Sequence, residues 1–261
     1  MKKSFYKLFT SLILLASGVA SAQITSFSGW NSAGQPGLSS STPNTVNGPL
    51  GTLTIFTNLA GFQTATTGTV FEDFEGGLVA GGGVVSCTTP VNSVSSNACF
   101  NAGDLIPGFN INVSTPSNLV VALGAGIIGN ADVIVGANTF ADSTDLSFDA
   151  TDIKAVAFDV HSNGSNPITL TVFDTVGGVI GVINTTVTAP GSPVFIGFTS
   201  ITSIGSVNIS DDTGAGELID NLRFGGIAPP AIIPSSSLTS LLVLLMLIFA
   251  MAWGFRKKVQ S

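Results

Sequence analysis

The chain has 261 residues, of which 9% are charged and 44% hydrophobic, and its 31 glycines and 12 prolines argue against a helical bundle or coiled coil. One histidine and two cysteines cannot by themselves build a zinc site of four cysteine or histidine ligands, nor an iron–sulfur cluster. All fifteen acidic residues lie between Glu72 and Asp220, whereas six of the eight basic residues lie near the two ends, so the acidic interior disfavours nucleic acid and anionic lipid as partners.

The first 22 residues have the pattern of a secretory signal peptide. Three lysines precede an apolar run over residues 8–19, and Ala-Ser-Ala follows at residues 20–22. This order of basic region, apolar region and small-residue cleavage site predicts cleavage between Ala22 and Gln23. The alternative is an N-terminal membrane anchor, for which the run is short and contains three hydroxyl side chains.

Residues 23–50 are rich in Ser, Gly, Pro and Asn and show no usable periodicity. We predict a loop or a loosely attached arm there. The next segments are predicted to be a short strand over 52–56, a helix over 58–66 capped by Thr57, and a strand over 70–74.

Residues 51–227 are predicted to form one β-domain. From residue 108 onward, short runs of apolar and β-branched residues alternate with turn signals such as Asn163-Gly164 and Gly177-Gly178. This spacing is typical of an all-β, antiparallel, jelly-roll-like β-sandwich. The predicted strands of this part are 109–113, 119–123, 133–135, 146–148, 153–161, 168–173, 179–187, 194–198, 207–209 and 217–224.

The C-terminal region contains a second candidate membrane segment. A Pro/Ser linker over 228–237 leads into an uncharged run over 238–255, which would reach about 27 Å as a helix. The basic tail over 256–261 follows at once, so the positive-inside rule places the tail in the cytoplasm and the β-domain outside. One interpretation of this segment is a plain tail anchor.

The C-terminal layout of prolines, serines, one helix and a basic stop resembles the PEP-CTERM and IPTL-CTERM sorting signals. The residues that carry this resemblance are Ile233, Pro234, Arg256, Lys257 and Lys258, although no Pro-Glu-Pro is present. The resemblance implies an exosortase-type processing enzyme as a partner. It also implies an inner-membrane stage facing the periplasm, followed by release to the cell surface or extracellular matrix.

The body also resembles the secreted domain of many PEP-CTERM proteins. The matching segments include residues 71–76, 155–160 and 219–225. The resemblance implies a jelly-roll sandwich similar to carbohydrate-binding modules, and most members of that group have no assigned biochemical activity.

Cys87 and Cys99 lie twelve residues apart in a Ser/Thr/Asn-rich segment. An exported chain with two cysteines is expected to pair them, so we predict a disulfide. The alternative is two free thiols. Neither a Cys-x-x-Cys motif nor another sign of a redox role is present.

Strict alternation along the last strand places Asp220 in an inward row with Leu218, Leu222 and Phe224. A buried carboxylate needs a partner or a metal. Carboxylates such as Glu72 and Glu75 of the early strand are expected nearby, as the first and last strands of jelly rolls are often neighbours. The sequence therefore predicts a structural Ca²⁺ site. In the alternative, loop amides or the surroundings of Arg223 satisfy Asp220, and the glutamates are solvated.

Sequence evidence for catalysis is weak. The single histidine, His161, shares a strand face with Asp159, and we interpret it as a surface residue at a strand end. No G-x-S-x-G elbow is present. We therefore expect a non-catalytic protein.

The sequence thus favours an exported, non-catalytic cell-surface or matrix β-sandwich associated with exopolysaccharide or the outer envelope. The first alternative is a carbohydrate-binding module, for which exposed aromatic side chains would be needed, and alternation places most of the 18 phenylalanines in apolar rows. The second alternative is a glycoside hydrolase that uses Glu72, Glu75 or Asp220.

Overall fold

The computed structural model describes residues 44–114, 117–211 and 213–229. It contains one helix, α1 (Leu59–Ala65). Its strands are β1 (Asn44–Gly48), β2 (Gly51–Phe56), β3 (Thr66–Glu72), β4 (Val84–Thr88), β5 (Phe109–Val113), β6 (Leu119–Leu123), β7 (Ile134–Ala137), β8 (Thr144–Phe148), β9 (Ala155–His161), β10 (Asn166–Asp174), β11 (Val179–Val187), β12 (Val194–Ser200), β13 (Ile204–Asp211) and β14 (Leu218–Ile227).

The predicted signal peptide, cleavage site, sorting signal and C-terminal span lie outside these described residues. Within them, no helix combines the length and the apolar character needed to cross a bilayer.

The strands form two antiparallel sheets. The nine-stranded sheet has the order β1-β2-β12-β9-β14-β7-β6-β4, with β3 as an additional partner of β14, and the five-stranded sheet has the order β11-β10-β13-β8-β5. Every ladder is antiparallel. The predicted all-β, antiparallel sandwich is therefore confirmed.

The core lies between the two sheets because alternate residues of each strand point inward. In the nine-stranded sheet β9 contributes Val156, Phe158 and Val160, which are fully buried. From the five-stranded sheet, β10 contributes alternating residues such as Ile168 and Leu170 to the same cluster. Each such side chain contributes about 2 kcal/mol through burial, so truncating Phe158 to Ala is expected to cost about 4 kcal/mol.

Helix α1 covers part of the outer face of the nine-stranded sheet. Its buried Phe62 packs with Phe56, Ala155 and Ala157, away from the main core. The helix was predicted, but its cap is Asn58 rather than Thr57, because the side-chain Oδ1 of Asn58 accepts a hydrogen bond from the backbone N–H of Gly61.

Two strands were missed by sequence reasoning. β1 lies at the end of the predicted arm, and β4 lies in the segment that was interpreted as a loop. Neither has a long apolar row; they are held as edge strands by backbone pairing with β2 and β6. The structured domain thus begins before residue 51.

The predicted disulfide between Cys87 and Cys99 is confirmed. Both cysteines are buried in the main core. The bond joins edge strand β4 to the loop that precedes β5, which also buries Val91, Phe100 and Leu105 in the main core.

Candidate functional site

The last strand carries an irregularity at its centre. β14 pairs with β7 over Leu218 and Ile219, and with β3 from Leu222 onward. Between these partners the register against β9 shifts, and Asn221 adopts a left-handed backbone with φ of 53°. A non-glycine residue in this conformation is uncommon, and such strained residues cluster at functional sites.

This bulge changes which residues of β14 face the core. Leu218 belongs to a small apolar cluster separate from the main core, whereas Ile219, Leu222 and Phe224 belong to the main core. The predicted inward row of Leu218, Asp220, Leu222 and Phe224 is therefore wrong. Asp220 is 3% exposed, but it lies on the outer face of the sheet, opposite Asp159 of β9.

A hydrogen-bonded polar cluster surrounds the bulge. The backbone N–H of Asn221 donates to Oδ1 of Asp220 at 2.6 Å. The side-chain Nδ2 of Asn221 donates to both Asp220 and Asp159, each at 3.0 Å. Nearby, Arg223 donates to the backbone carbonyl of Asn221 at 2.9 Å. The strained Asn221 thus joins two carboxylates and a guanidinium.

The two carboxylates of this cluster are poorly solvated. Burial raises the pKa of Asp220 to about 7, with the charges of Asp132, Asp159 and Glu75 adding to the effect and the Asn221 amide opposing it. Burial also raises the pKa of Asp159, against its hydrogen bond from Asn221 and the charge of Arg223. Near neutral pH the pair therefore holds a proton part of the time, which lowers the repulsion between its members.

An exposed aromatic ring lies beside the polar cluster. Phe71 of β3 is the cross-strand neighbour of Arg223 and is 45% exposed. The Cζ atom of Arg223 lies 3.9 Å from the centroid of the Phe71 ring, a cation–π arrangement that fixes the guanidinium. We call Phe71, Asp159, Asp220, Asn221 and Arg223 the bulge site.

The structure separates Glu72 from the other carboxylates with which it was predicted to converge. Glu72 lies opposite Leu222 on the core side, and its two oxygens accept hydrogen bonds from the backbone N–H groups of Phe74 and Ile106. Glu75 accepts from the backbone N–H of Val133 at 2.7 Å. Glu75 is thus near Asp220, whereas Glu72 lies on the other face of the sheet.

The three carboxylates of the predicted calcium site do not all lie together. Among the residues that the structure describes, no group of three or more His, Cys, Asp or Glu side chains is placed to hold a metal ion. Glu72, moreover, uses both oxygens to fix backbone amides. Calcium binding stays a prediction, and the hydrogen bonds of Asp220 follow the alternative in which local amides satisfy it.

The interpretation of His161 as a surface residue is wrong. It shares the outer face of β9 with Asp159, as expected, but it is only 5% exposed. Neither ring nitrogen has a hydrogen-bond partner among the described residues, and burial lowers the pKa of His161 to about 4. Burial therefore keeps the His161 imidazole neutral near neutral pH.

A second buried carboxylate cluster lies at the end of β13. Asp211 accepts hydrogen bonds from the backbone N–H groups of Thr213, Ala215 and Gly216, and from the side chains of Thr213 and Asn166. It thereby fixes the turn that leads into β14.

Sequence reasoning found Asp220 but missed Phe71, Asp159, Asn221 and Arg223 as parts of one site. The sheet face that Phe71 occupies can be predicted only when the pairing of β3 with β14 is known. The orientation of Asn221 depends on a bulge in β14. One signal was available: an asparagine tolerates a left-handed backbone better than most residues, and Asn221 lies within the last strand.

Comparisons with known proteins give limited help. No protein-family model matches the chain, and no curated protein matches it. Among solved structures, the chain is similar to TmCBM61 in complex with β-1,4-galactotriose, with 18% identity, a TM-score of 0.31, and coverage of 44% of this chain and 88% of the other.

Two further solved structures show the same level of similarity. A CBM29-2 variant complexed with cellulohexaose has 12% identity and a TM-score of 0.32, covering 55% of this chain and 92% of the other. The Podospora anserina GH26-CBM35 β-(1,4)-mannanase has 12% identity and a TM-score of 0.31, covering 63% of this chain and 29% of that longer chain. TM-scores this low carry no inference about function.

Proposed function

We propose that the protein is an exported, non-catalytic β-sandwich that binds a polysaccharide at the cell surface or in the extracellular matrix. Its terminal segments determine its localisation: the signal peptide exports the chain, the C-terminal helix holds it in the inner membrane, and an exosortase-type enzyme processes it. The observation that supports binding is the bulge site, where an exposed aromatic ring lies beside an amide, a guanidinium and two carboxylates.

The chemistry of the bulge site suits a sugar. A pyranose has apolar C–H faces that pack against an aromatic ring, and its hydroxyls donate to carboxylates and accept from amide or guanidinium N–H groups. Phe71 is 45% exposed and supplies the apolar surface. Arg223 and Asn221 are half-buried and already positioned by hydrogen bonds, so little side-chain entropy is lost on binding.

The charge of the domain restricts the class of polysaccharide. All fifteen acidic residues lie between positions 72 and 220, with two basic residues in the interior of the chain, Lys154 and Arg223. A polyanionic glycan would be repelled by this surface. We therefore expect a neutral polysaccharide to bind best.

Affinity electrophoresis of the purified chain through gels containing neutral or acidic polysaccharides tests this proposal. A neutral polysaccharide should retard the chain, and Phe71→Ala should weaken its binding about tenfold, the equivalent of one aromatic contact. Val70→Ala is the matched control, because Val70 is the adjacent residue of β3 and is also 45% exposed. Unretarded migration in every gel, or equal retardation of the Phe71→Ala variant, would contradict the proposal.

A further inference from the structure

Several turns meet at the end of the sandwich where the chain leaves β14. Ile227 pairs with Thr66, and the backbone N–H of Ala228 donates to Ala65. The β12–β13 turn is at the same end, since Ser200 and Ile204 donate to the backbone of the segment before β9. We call this the exit end.

The turns at the exit end carry exposed apolar side chains. Leu50 in the β1–β2 turn is 49% exposed, Val176 in the β10–β11 turn is 89% exposed, and Ile201 after β12 is 77% exposed. The turns contact one another: the side chain of Thr202 donates to the backbone carbonyl of Leu50, and the Leu50 side chain lies against Gly178 of the β10–β11 turn. Leu50, Val176 and Ile201 therefore lie on neighbouring turns at one end of the sandwich, and we call them the apolar rim.

The position of this rim relative to the rest of the chain points to its partner. Eight residues separate Pro229, the last described residue, from Leu238, where the 18-residue uncharged run begins. A fully extended link of this length spans about 30 Å at most. The opposite end of β14 lies about 30 Å further from the exit point, since its ten residues rise about 3.3 Å each. The exit end is thus the one that a membrane-inserted run would hold against the bilayer.

We propose that Leu50, Val176 and Ile201 contact the surface of the bilayer while the chain is anchored, so that the exit end of the domain faces the membrane. This inference rests on the membrane anchoring proposed above. Burying small apolar side chains at the level of the headgroups is favourable in proportion to their apolar area. Asp149 and Asp152, both exposed in the β8–β9 loop at the same end, select a bilayer of low surface charge, because an anionic surface repels them.

Fluorescence quenching in vesicles tests this arrangement. The full chain would be reconstituted into phosphatidylcholine vesicles containing lipids spin-labelled near the headgroup, and labelled at a single introduced cysteine; the native cysteines are paired. A label at Val176→Cys or Ile201→Cys should be quenched at least about twofold more than one at Ser165→Cys. Ser165 is exposed in the β9–β10 turn, at the opposite end of the sandwich.

A second pair of variants separates the effect of the rim side chains from that of the membrane anchor. In the chain labelled at position 176, Ile201→Asp should lower the quenching, whereas Val182→Asp should leave it unchanged, because Val182 is exposed on β11 away from the turns. Equal quenching at positions 176 and 165 in vesicles that carry the chain would overturn the inference and leave the anchoring intact. Failure of the chain to float with the vesicles would overturn the anchoring and the inference together.

Discussion

Asp211 and Asp220 are both buried aspartates near the ends of successive strands, yet their surroundings differ. Asp211 receives hydrogen bonds from three backbone amides and two side chains, which fix one turn. Asp220 receives hydrogen bonds from the backbone and side chain of a single residue, Asn221, and faces other carboxylates. The first arrangement satisfies the carboxylate fully, whereas the second leaves part of the hydrogen-bonding capacity of Asp220 unused.

The difference also appears in the backbone. Asp211 belongs to a strand whose register with β10 is regular at that point. The Asp220 region departs from regular pairing, with a left-handed asparagine and a shifted register. Backbone strain beside carboxylates with incomplete hydrogen bonding is a feature of binding sites. The turn held by Asp211 shows that this sequence can satisfy a carboxylate fully elsewhere.

Among variants that test this comparison, loss of the turn held by Asp211 should have the largest effect. Asp211→Ala removes the acceptor of five hydrogen bonds and should cost about 3 kcal/mol, which lowers the melting temperature by roughly 6–12 °C. Asp220→Ala should cost at least about 1 kcal/mol less. Circular dichroism melts of both variants test the comparison; equal losses would show that the two carboxylates have the same structural role.

The disulfide provides a second purely structural element. Replacing Cys87 and Cys99 together by Ser should destabilise the fold by about 2–3 kcal/mol, because the closed loop of the unfolded chain is released. Polysaccharide binding per folded molecule should not change, since neither cysteine belongs to the bulge site. The measurement is a denaturant titration followed by gel retardation below the transition; a binding loss that exceeds the unfolded fraction would contradict this separation.

The pH dependence of stability should show the incomplete pairing of Asp220 directly. Its pKa is about 7 in the folded state, above the ordinary value of 3.8, so the folded state retains a proton that the unfolded state has released. Raising the pH from about 4 to 7 therefore destabilises the fold through this group. Asp220→Asn cannot ionise, so the stability of the variant relative to the unmodified protein should rise through this window and then stay constant.

Two other buried groups must be separated from this titration. Burial raises the pKa of Glu217 to about 8, so ionisation of Glu217 also destabilises the fold as the pH rises. Burial lowers the pKa of His161, so below pH 6.5 the contribution of His161 to stability increases with pH instead. The Glu217→Gln variant is the control, since its stability difference should continue to grow to about pH 8. A flat difference between Asp220→Asn and the unmodified protein across about pH 4–7 would show that Asp220 is ionised in the folded state.

The smallest expected effect on stability is that of Phe71. Its ring lies on the surface of β3 and outside the core, so Phe71→Ala should change the free energy of unfolding by about 0.5 kcal/mol or less, in contrast to its tenfold effect on binding. Thermal melts beside the retardation assay test this. A loss above about 2 kcal/mol would mean that the ring is part of the fold rather than a contact surface.

Much of the fold was accessible from sequence because period-two alternation is strong in the buried strands. The predicted bounds of β5, β6 and β11 agree with the structure, and the Gly177-Gly178 turn joins β10 to β11 as expected. β1 and β4 were missed because they are five-residue edge strands without a long apolar row, and backbone pairing holds them in the sheet.

The site was less accessible for a specific reason. One bulge at Asn221 moves Asp220 to the opposite face from Leu222, so every assignment that assumed strict alternation through this point was reversed. Asp159 and Phe71 are 88 residues apart in sequence and reach one site only through the pairing of β9 and β3 with β14. That pairing is a long-range property of the sheet order, which local patterns do not encode.

The most direct test of the central claim observes Arg223 itself. The chain contains two arginines, Arg223 and Arg256, so an Arg256→Lys variant labelled with ¹⁵N-arginine gives one side-chain Nε–H resonance. On addition of a polysaccharide that retards the protein in gels, this resonance should shift and saturate together with binding, because the guanidinium lies between Phe71 and Asn221 in the bulge site. A polysaccharide that binds while the Arg223 resonance stays unmoved would contradict the account and place the binding surface elsewhere on the sandwich.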